Sequence, residues 1–172
     1  NKDSSDADRI LGRSLMGQKR FGEAVELLTK STDQTPKDGE SMRALVQAYV
    51  AAGKLDEAES FLAQVLQANP DNVNAIVMQG MLHLRKEKLE KTKKSFETAI
   101  ARVPTAFAGY LALADYHSRM KNVDESIKVL QQGISAAKDK NSLRFTLAGR
   151  YGSKGQFDDA IKVYEEIVAE AP

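Results

Sequence analysis

All four prolines of this chain stand on a single lattice: Pro36, Pro70 and Pro104 are 34 residues apart, and Pro172 follows two further steps of 34. A fixed period of that length is the mark of an array in which one small supersecondary unit recurs and each copy packs on the next. The lattice divides the sequence into five blocks, 5–38, 39–72, 73–106, 107–140 and 141–172. At the one lattice point without a proline, Lys138, the rest of the block keeps register.

The second half of each block carries a small residue at one place: Ala24, Ala58, Thr92, Ser126 and Ala160. Two helices can cross closely there, because no bulky side chain intervenes. Three residues earlier stand Phe21, Leu55, Leu89, Val123 and Phe157, and four residues later Leu28, Leu62, Phe96, Leu130 and Tyr164. Those offsets define one face of a helix. The first half repeats its own set, Leu11, Leu45, Gln79, Leu113 and Leu147, followed by Gly12, Val46, Gly80, Ala114 and Ala148 and then by Leu15, Tyr49, His83, His117 and Tyr151. Each block therefore reads as helix, turn, helix. Gly53 and Gly155 mark the turn, and Asp56, Asp124 and Asp158 fall in the first turn of the second helix, where a carboxylate meets orphan amide protons and the positive end of the dipole. No stretch alternates with period two, so the expected fold class is all-α.

These residues resemble the tetratricopeptide repeat (TPR) family. In the fifth block Leu147, Ala148, Tyr151, Ala160, Tyr164 and Pro172 follow the family pattern of L-G-x2-Y, then A-x3-F, then P. The resemblance covers 5–172 and implies a right-handed α-solenoid of five hairpins, forming a single domain over 1–172. Gln79 and Thr92 in the third block, and Gly133 and Lys138 in the fourth, depart from the pattern and are expected to weaken local packing. The pentatricopeptide class, which reads RNA, has a similar hairpin, but its 35-residue period and basic character do not match this chain.

Charge supports that choice. Twenty-five basic residues offset 24 acidic ones, leaving a net charge of +1, which provides no field to hold a phosphate backbone. Nucleic acid is thus not an expected partner. No apolar run of about 18 residues is long enough to span a bilayer, so a soluble chain without direct membrane insertion is expected. The absence of cysteine excludes disulfides and sulfur-based metal sites, and leaves the compartment open between cytoplasm and periplasm. No nucleophile, base and orienting group converge, so neither catalysis nor a cofactor is expected.

Some side chains invite sharper hypotheses. His83 and His117 occupy one position in neighbouring blocks, which suggests a metal pair, but Leu15, Tyr49 and Tyr151 fill that position elsewhere, which marks it as helix packing. The run Arg85, Lys86, Lys88, Lys91, Lys93 and Lys94, diluted by Glu87 and Glu90, reads as a solvated face on the outer side of the third block.

The resemblance also implies that the first helix of each block lines a concave surface. The family's groove positions give Arg9 and Arg13 from the first block, Arg43, Gln47 and Val50 from the second, and Val77, Met81, Leu84 and Arg85 from the third. Leu111, Asp115, Ser118 and Arg119 follow from the fourth block, and Phe145 from the fifth. The expected groove is basic at its N-terminal end, through Arg9, Arg13 and Arg43, and apolar in its middle, through Val50, Val77, Met81, Leu84 and Leu111. Such a surface suits a peptide or helix carrying an acidic group. Val77, Leu84 and Leu111 equally suit a supporting role between helices.

The clamp by which chaperone-docking members hold a partner's C-terminal carboxylate is broken here at Ala44, where the family has asparagine. A non-catalytic scaffold for a protein or peptide partner is the expected function. The other reading is a structural assembly module, since the turn from Ala52 to Ala58 is similar to turns of bacterial members that sit in envelope or export assemblies. The sequence carries no extra polar helix after the fifth block, so Tyr164, Ile167 and Val168 are expected at an uncapped end, in a segment of a longer array or one that self-associates.

Overall fold

A computed structural model of the chain describes residues 2–170; Pro172, the last lattice point, lies outside them. Ten α-helices and no strand occur among the described residues: α1 (Lys2–Gly17), α2 (Phe21–Gln34), α3 (Gly39–Ala51), α4 (Leu55–Ala68), α5 (Val73–Arg85), α6 (Leu89–Arg102), α7 (Phe107–Arg119), α8 (Val123–Ala136), α9 (Asn141–Ser153) and α10 (Phe157–Ala169). Each block contributes one pair of helices. The fold is a helical-repeat solenoid.

The turn within every hairpin has one conformational requirement. Lys19, Gly53, Glu87, Lys121 and Gly155 share a block position, and all five have positive φ, between 56° and 75°. The two glycines adopt that geometry without a Cβ penalty, whereas the lysines and the glutamate do so at a cost. Glu87→Gly is therefore expected to raise the thermal midpoint and Gly53→Ala to lower it, each by an amount equivalent to about 1 kcal/mol. Differential scanning calorimetry of the two variants checks both signs.

Asp56, Asp124 and Asp158 stand in the first turns of α4, α8 and α10, as expected. Lys54, Asn122 and Gln156, which precede the second helices carrying Asp56, Asp124 and Asp158, make no side-chain cap bond. The capped helices are first helices. Asp38 accepts from the Glu40 and Ser41 amides at 3.2 and 3.0 Å ahead of α3, and Asn72 accepts from the Ala75 amide at 3.1 Å ahead of α5.

Two compact units follow, Asn1–Pro70 and Asp71–Pro172. In the first, α1 to α4 enclose a core of Leu15, Ala24, Val25, Leu28, Ala44, Leu45 and Ala48. Beside it runs a chain of buried hydroxyls that the periodicity did not reveal. Ser5 Oγ lies 3.0 Å from Ser31 Oγ and 2.8 Å from Thr35 Oγ1, Ser31 Oγ lies 3.0 Å from Ser41 Oγ, and the Ser41 hydroxyl donates to Asp38 at 2.6 Å. Ser5, Ser31 and Ser41 are buried on α1, α2 and α3, so the bonds among their hydroxyls tie these three helices to one another. Leu11 departs from its stripe and is 52% exposed. Its counterpart Leu45 is buried in a cluster with α2 residues of the block before, and among the described residues no helix packs over Leu11 in the same way.

In the second unit α5 to α10 pack each on its successor, and the first helices also touch, α5 on α7 and α7 on α9. The departures expected to weaken this region are accommodated. Thr92 is fully buried, and its hydroxyl donates to the Lys88 carbonyl at 3.1 Å. Gly133 leaves space that the buried Tyr110 ring fills. Lys138 uses the amide proton that a proline would lack, donating to the Thr105 carbonyl at 3.1 Å. Gln79, the remaining departure, is half-buried on α5. At the end of the unit the buried Arg144 side chain forks onto Glu170 through bonds of 2.5 and 2.8 Å, tying α9 to the C-terminus of α10.

Candidate functional site

Where α5 and α7 lie side by side, their exposed edges and one ring from α6 bound a groove of about 470 Å³. Met81, Leu84 and Arg85 come from α5, Ala112, Asp115, Tyr116 and Arg119 from α7, and Phe96 from α6. The floor is rigid, because Phe96 and Tyr116 are buried and meet edge to face at 6.4 Å. Met81 is 51% exposed above it, a large flexible apolar side chain held in water without a partner. The Asp115 charge is already engaged by Arg150 from α9 at 2.5 Å. Arg85 and Arg119 share a block position, are exposed, and make no ion pair among the described residues.

Of the groove positions expected from the sequence, this groove gathers Met81, Leu84, Arg85, Asp115 and Arg119. Val77 is not among them: it is buried within α5 and supports its neighbours. Leu111 and Ser118 are half-buried on α7 outside the groove lining, and Phe145 is exposed on α9 with its ring 6.1 Å from that of Tyr164.

In the first unit the expected basic end is largely neutralised. Arg9 pairs with Asp6 at 2.9 Å and approaches Asp38 at 3.8 Å, while Arg43 pairs with Glu40 at 3.0 Å. Two of these pairs have i,i+3 spacing, a signal the sequence already contained. Arg13 and Gln47 are exposed and Val50 is half-buried. A second depression in this unit, of about 440 Å³, has Tyr49 and Phe61 in its wall and Asp33, Asp56 and Glu57 around it.

The histidines pack between helices. His83 is buried, with Nδ1 3.2 Å from Ser95 Oγ. His117 lies edge-on to Tyr116, and burial, aided by Lys93, pushes its pKa below the usual imidazole value. No group of three metal-ligating side chains gathers among the described residues. No helix among them is long and apolar enough to cross a membrane. The lysine face of α6 is diluted by Glu90 and Glu97, the latter 3.6 Å from Lys93.

One further surface is conspicuous. Phe157, Ile161, Tyr164 and Val168 form a stripe along α10 and are 66%, 53%, 44% and 74% exposed. Tyr164 and Val168 are thus open as expected, and Ile167 is half-buried.

Comparison with known proteins follows the repeat. Residues 15–78 and 77–142 each match a family profile described as Tetratricopeptide repeat, and residues 146–170 match one described as PPR repeat. The chain is 24% identical over 157 residues to Anaphase-promoting complex subunit 7 of Arabidopsis thaliana, covering 91% of this chain and 28% of that protein. It is 21% identical over 175 residues to Protein STIP1 homolog of Dictyostelium discoideum, covering 98% of this chain and 30% of that protein. The chain therefore spans less than a third of the length of these relatives. Among solved structures, a thermophilic TPR protein of Thermus thermophilus, TTC0263, superposes with a TM-score of 0.66 at 19% identity, covering 98% of this chain and 92% of that one. MamA superposes with a TM-score of 0.58 at 18% identity, with 92% of each chain covered.

Proposed function

Since the chain belongs to the tetratricopeptide repeat family, an interaction fold that is generally non-catalytic, we propose that it is a protein-binding scaffold whose docking surface is the α5–α7 groove. The observation that carries this reading is the pairing of a rigid aromatic floor with an exposed Met81 above it. Apolar side chains left in water along a concave wall gain free energy when a partner covers them. Nothing in the groove brings a nucleophile, a base and an orienting group together, so its chemistry is that of recognition.

Met81→Asp tests the site with little risk to folding, because the side chain is half exposed. Affinity capture from a lysate of the source organism is expected to recover a partner set with the wild-type chain and to lose it with Met81→Asp and with Leu84→Asp, at unchanged helical circular dichroism. Recovery of the same partners by both variants would move the docking surface elsewhere, first to the lysine face of α6.

The α10 stripe favours a second reading, assembly with another helical surface, as in a larger complex. One relative is by name a subunit of such a complex. Sedimentation velocity over a range of concentrations separates the two readings. A groove binder stays monomeric, whereas an assembly module gains mass with concentration and loses that behaviour on Ile161→Glu with Val168→Glu.

A further inference from the structure

The charge in the α5–α7 groove specifies the chemistry of what docks there. Arg85 and Arg119 stand at the same position of consecutive repeats, at the C-terminal ends of α5 and α7, and neither has an acidic partner among the described residues. The one carboxylate lining the groove, Asp115, is taken by Arg150 at 2.5 Å. The groove therefore presents two uncompensated guanidinium groups beside the apolar wall of Met81, Leu84 and Tyr116. This differs from the first unit, where Arg9 and Arg43 are held by Asp6, Asp38 and Glu40. A guanidinium without a carboxylate is a fork of donors open to one, and two of them on adjacent helices fix a spacing.

We propose that the α5–α7 groove selects an acidic linear peptide, in which two carboxylate side chains engage Arg85 and Arg119 while a large apolar residue beside them covers Met81 and Leu84. This rests on the reading of the groove as the docking surface and adds the class of partner to it. Helices in contact lie about 8–10 Å apart. A polyproline-like segment advances about 3.1 Å per residue and returns to the same side every third residue. The two acidic residues of the peptide therefore stand about three positions apart. The apolar contact supplies lifetime, and the arginine pair supplies selectivity and a rate of association that falls with salt.

The test is selection of short random peptides, displayed on a neutral scaffold, against the whole chain and its variants. The wild type is expected to enrich peptides with two Asp or Glu about three positions apart beside a Leu, Ile, Met or Phe. A selected peptide, synthesised with its C-terminus amidated, is expected to bind at least about tenfold more weakly to Arg85→Glu and to Arg119→Glu, and unchanged to Arg43→Glu. Replacing its acids by Gln should reproduce that loss.

Enrichment of apolar peptides without acids, lost on Met81→Asp and indifferent to Arg85→Glu, overturns the acidic selectivity and leaves the groove standing. Enrichment indifferent to all three groove variants, or no enrichment over the bare support, overturns both. Restored binding only when the peptide's terminal carboxylate is free assigns the arginines to a chain end and overturns the side-chain pair. Displacement of the peptide by a short single-stranded RNA, in a manner lost on Arg119→Glu, overturns the peptide assignment.

Discussion

Leu28→Ala is expected to lower the free energy of unfolding of the first unit by about 2–5 kcal/mol, toward the upper part of that span. Leu28 is 0% exposed and lies so close over α1 that a Cβ added to Gly12 would come within 2.6 Å of its Cγ. Its neighbours in the core include Ala24, Ala44 and Ala48, all short and fixed. None can swing inward to fill the volume that the lost side chain leaves, so the cavity persists and its lining loses dispersion contacts as well as the transfer free energy. Leu27, only partly buried against the same cluster, is the internal control, and Leu27→Ala should cost clearly less. Urea denaturation reports both values. Hydrogen exchange should show the loss concentrated in amides of α1 to α4, because stability in a repeat array is largely a sum of local terms. A cost for Leu28→Ala no greater than that for Leu27→Ala would contradict the placement of this residue at the centre of the unit.

Gly133→Leu is expected to destabilise the second unit by about 3 kcal/mol or more, the upper end of the usual cost of overpacking. A Cβ at this position already meets Tyr110 Cγ at 2.7 Å, Tyr110 Cβ at 2.9 Å and Leu143 Cδ1 at 3.0 Å. Tyr110 is buried and Leu143 is fully buried, so neither can retreat into solvent to admit three further carbons. Gly133→Ala sets the strain against an intrinsic gain, since alanine exceeds glycine in a helix interior by about 1 kcal/mol, and is expected to fall well short of the leucine effect. Gly149 supplies the contrast. It sits inside α9 with nothing within 4 Å of a Cβ, so Gly149→Ala should stabilise by up to about 1 kcal/mol. Thermal unfolding of the three variants orders them, and a Gly133→Leu protein as stable as the wild type would show that α8 and α7 are farther apart than the structure places them.

Much of the fold was legible because the same physical demand recurs five times. A small residue at Ala24, Ala58, Thr92, Ser126 and Ala160 is buried in every repeat, so one pattern reports one environment. Thr92 shows how much latitude that rule allows, since its extra hydroxyl is absorbed by the carbonyl of Lys88 at 3.1 Å. The candidate site was legible only as positions. The spacing placed Met81, Leu84, Arg85, Asp115 and Arg119 on first helices, and these do line one groove. Val77 occupies an equally suitable spacing and is buried. Periodicity assigns a residue to a side of its own helix, and whether that side meets water depends on the neighbouring helix.

The sequence by itself determined the class of structure: the proline lattice, the small-residue positions and the two apolar stripes per block allow only a stack of helical hairpins. It also held the Arg9–Asp6 and Arg43–Glu40 pairs, which are local in the chain. Only the tertiary structure decided that Ser5, Ser31 and Ser41 form one buried hydroxyl relay, that Lys138 stands where proline would forfeit a bond to Thr105, and that Arg150 engages Asp115 while Arg85 and Arg119 keep no acidic partner among the described residues. Helical period and turn chemistry act over a few residues and are written locally. Hydrogen bonds and ion pairs between helices join groups up to 35 residues apart, as Asp115 and Arg150 are, and their satisfaction is settled only when packing brings one partner to the other.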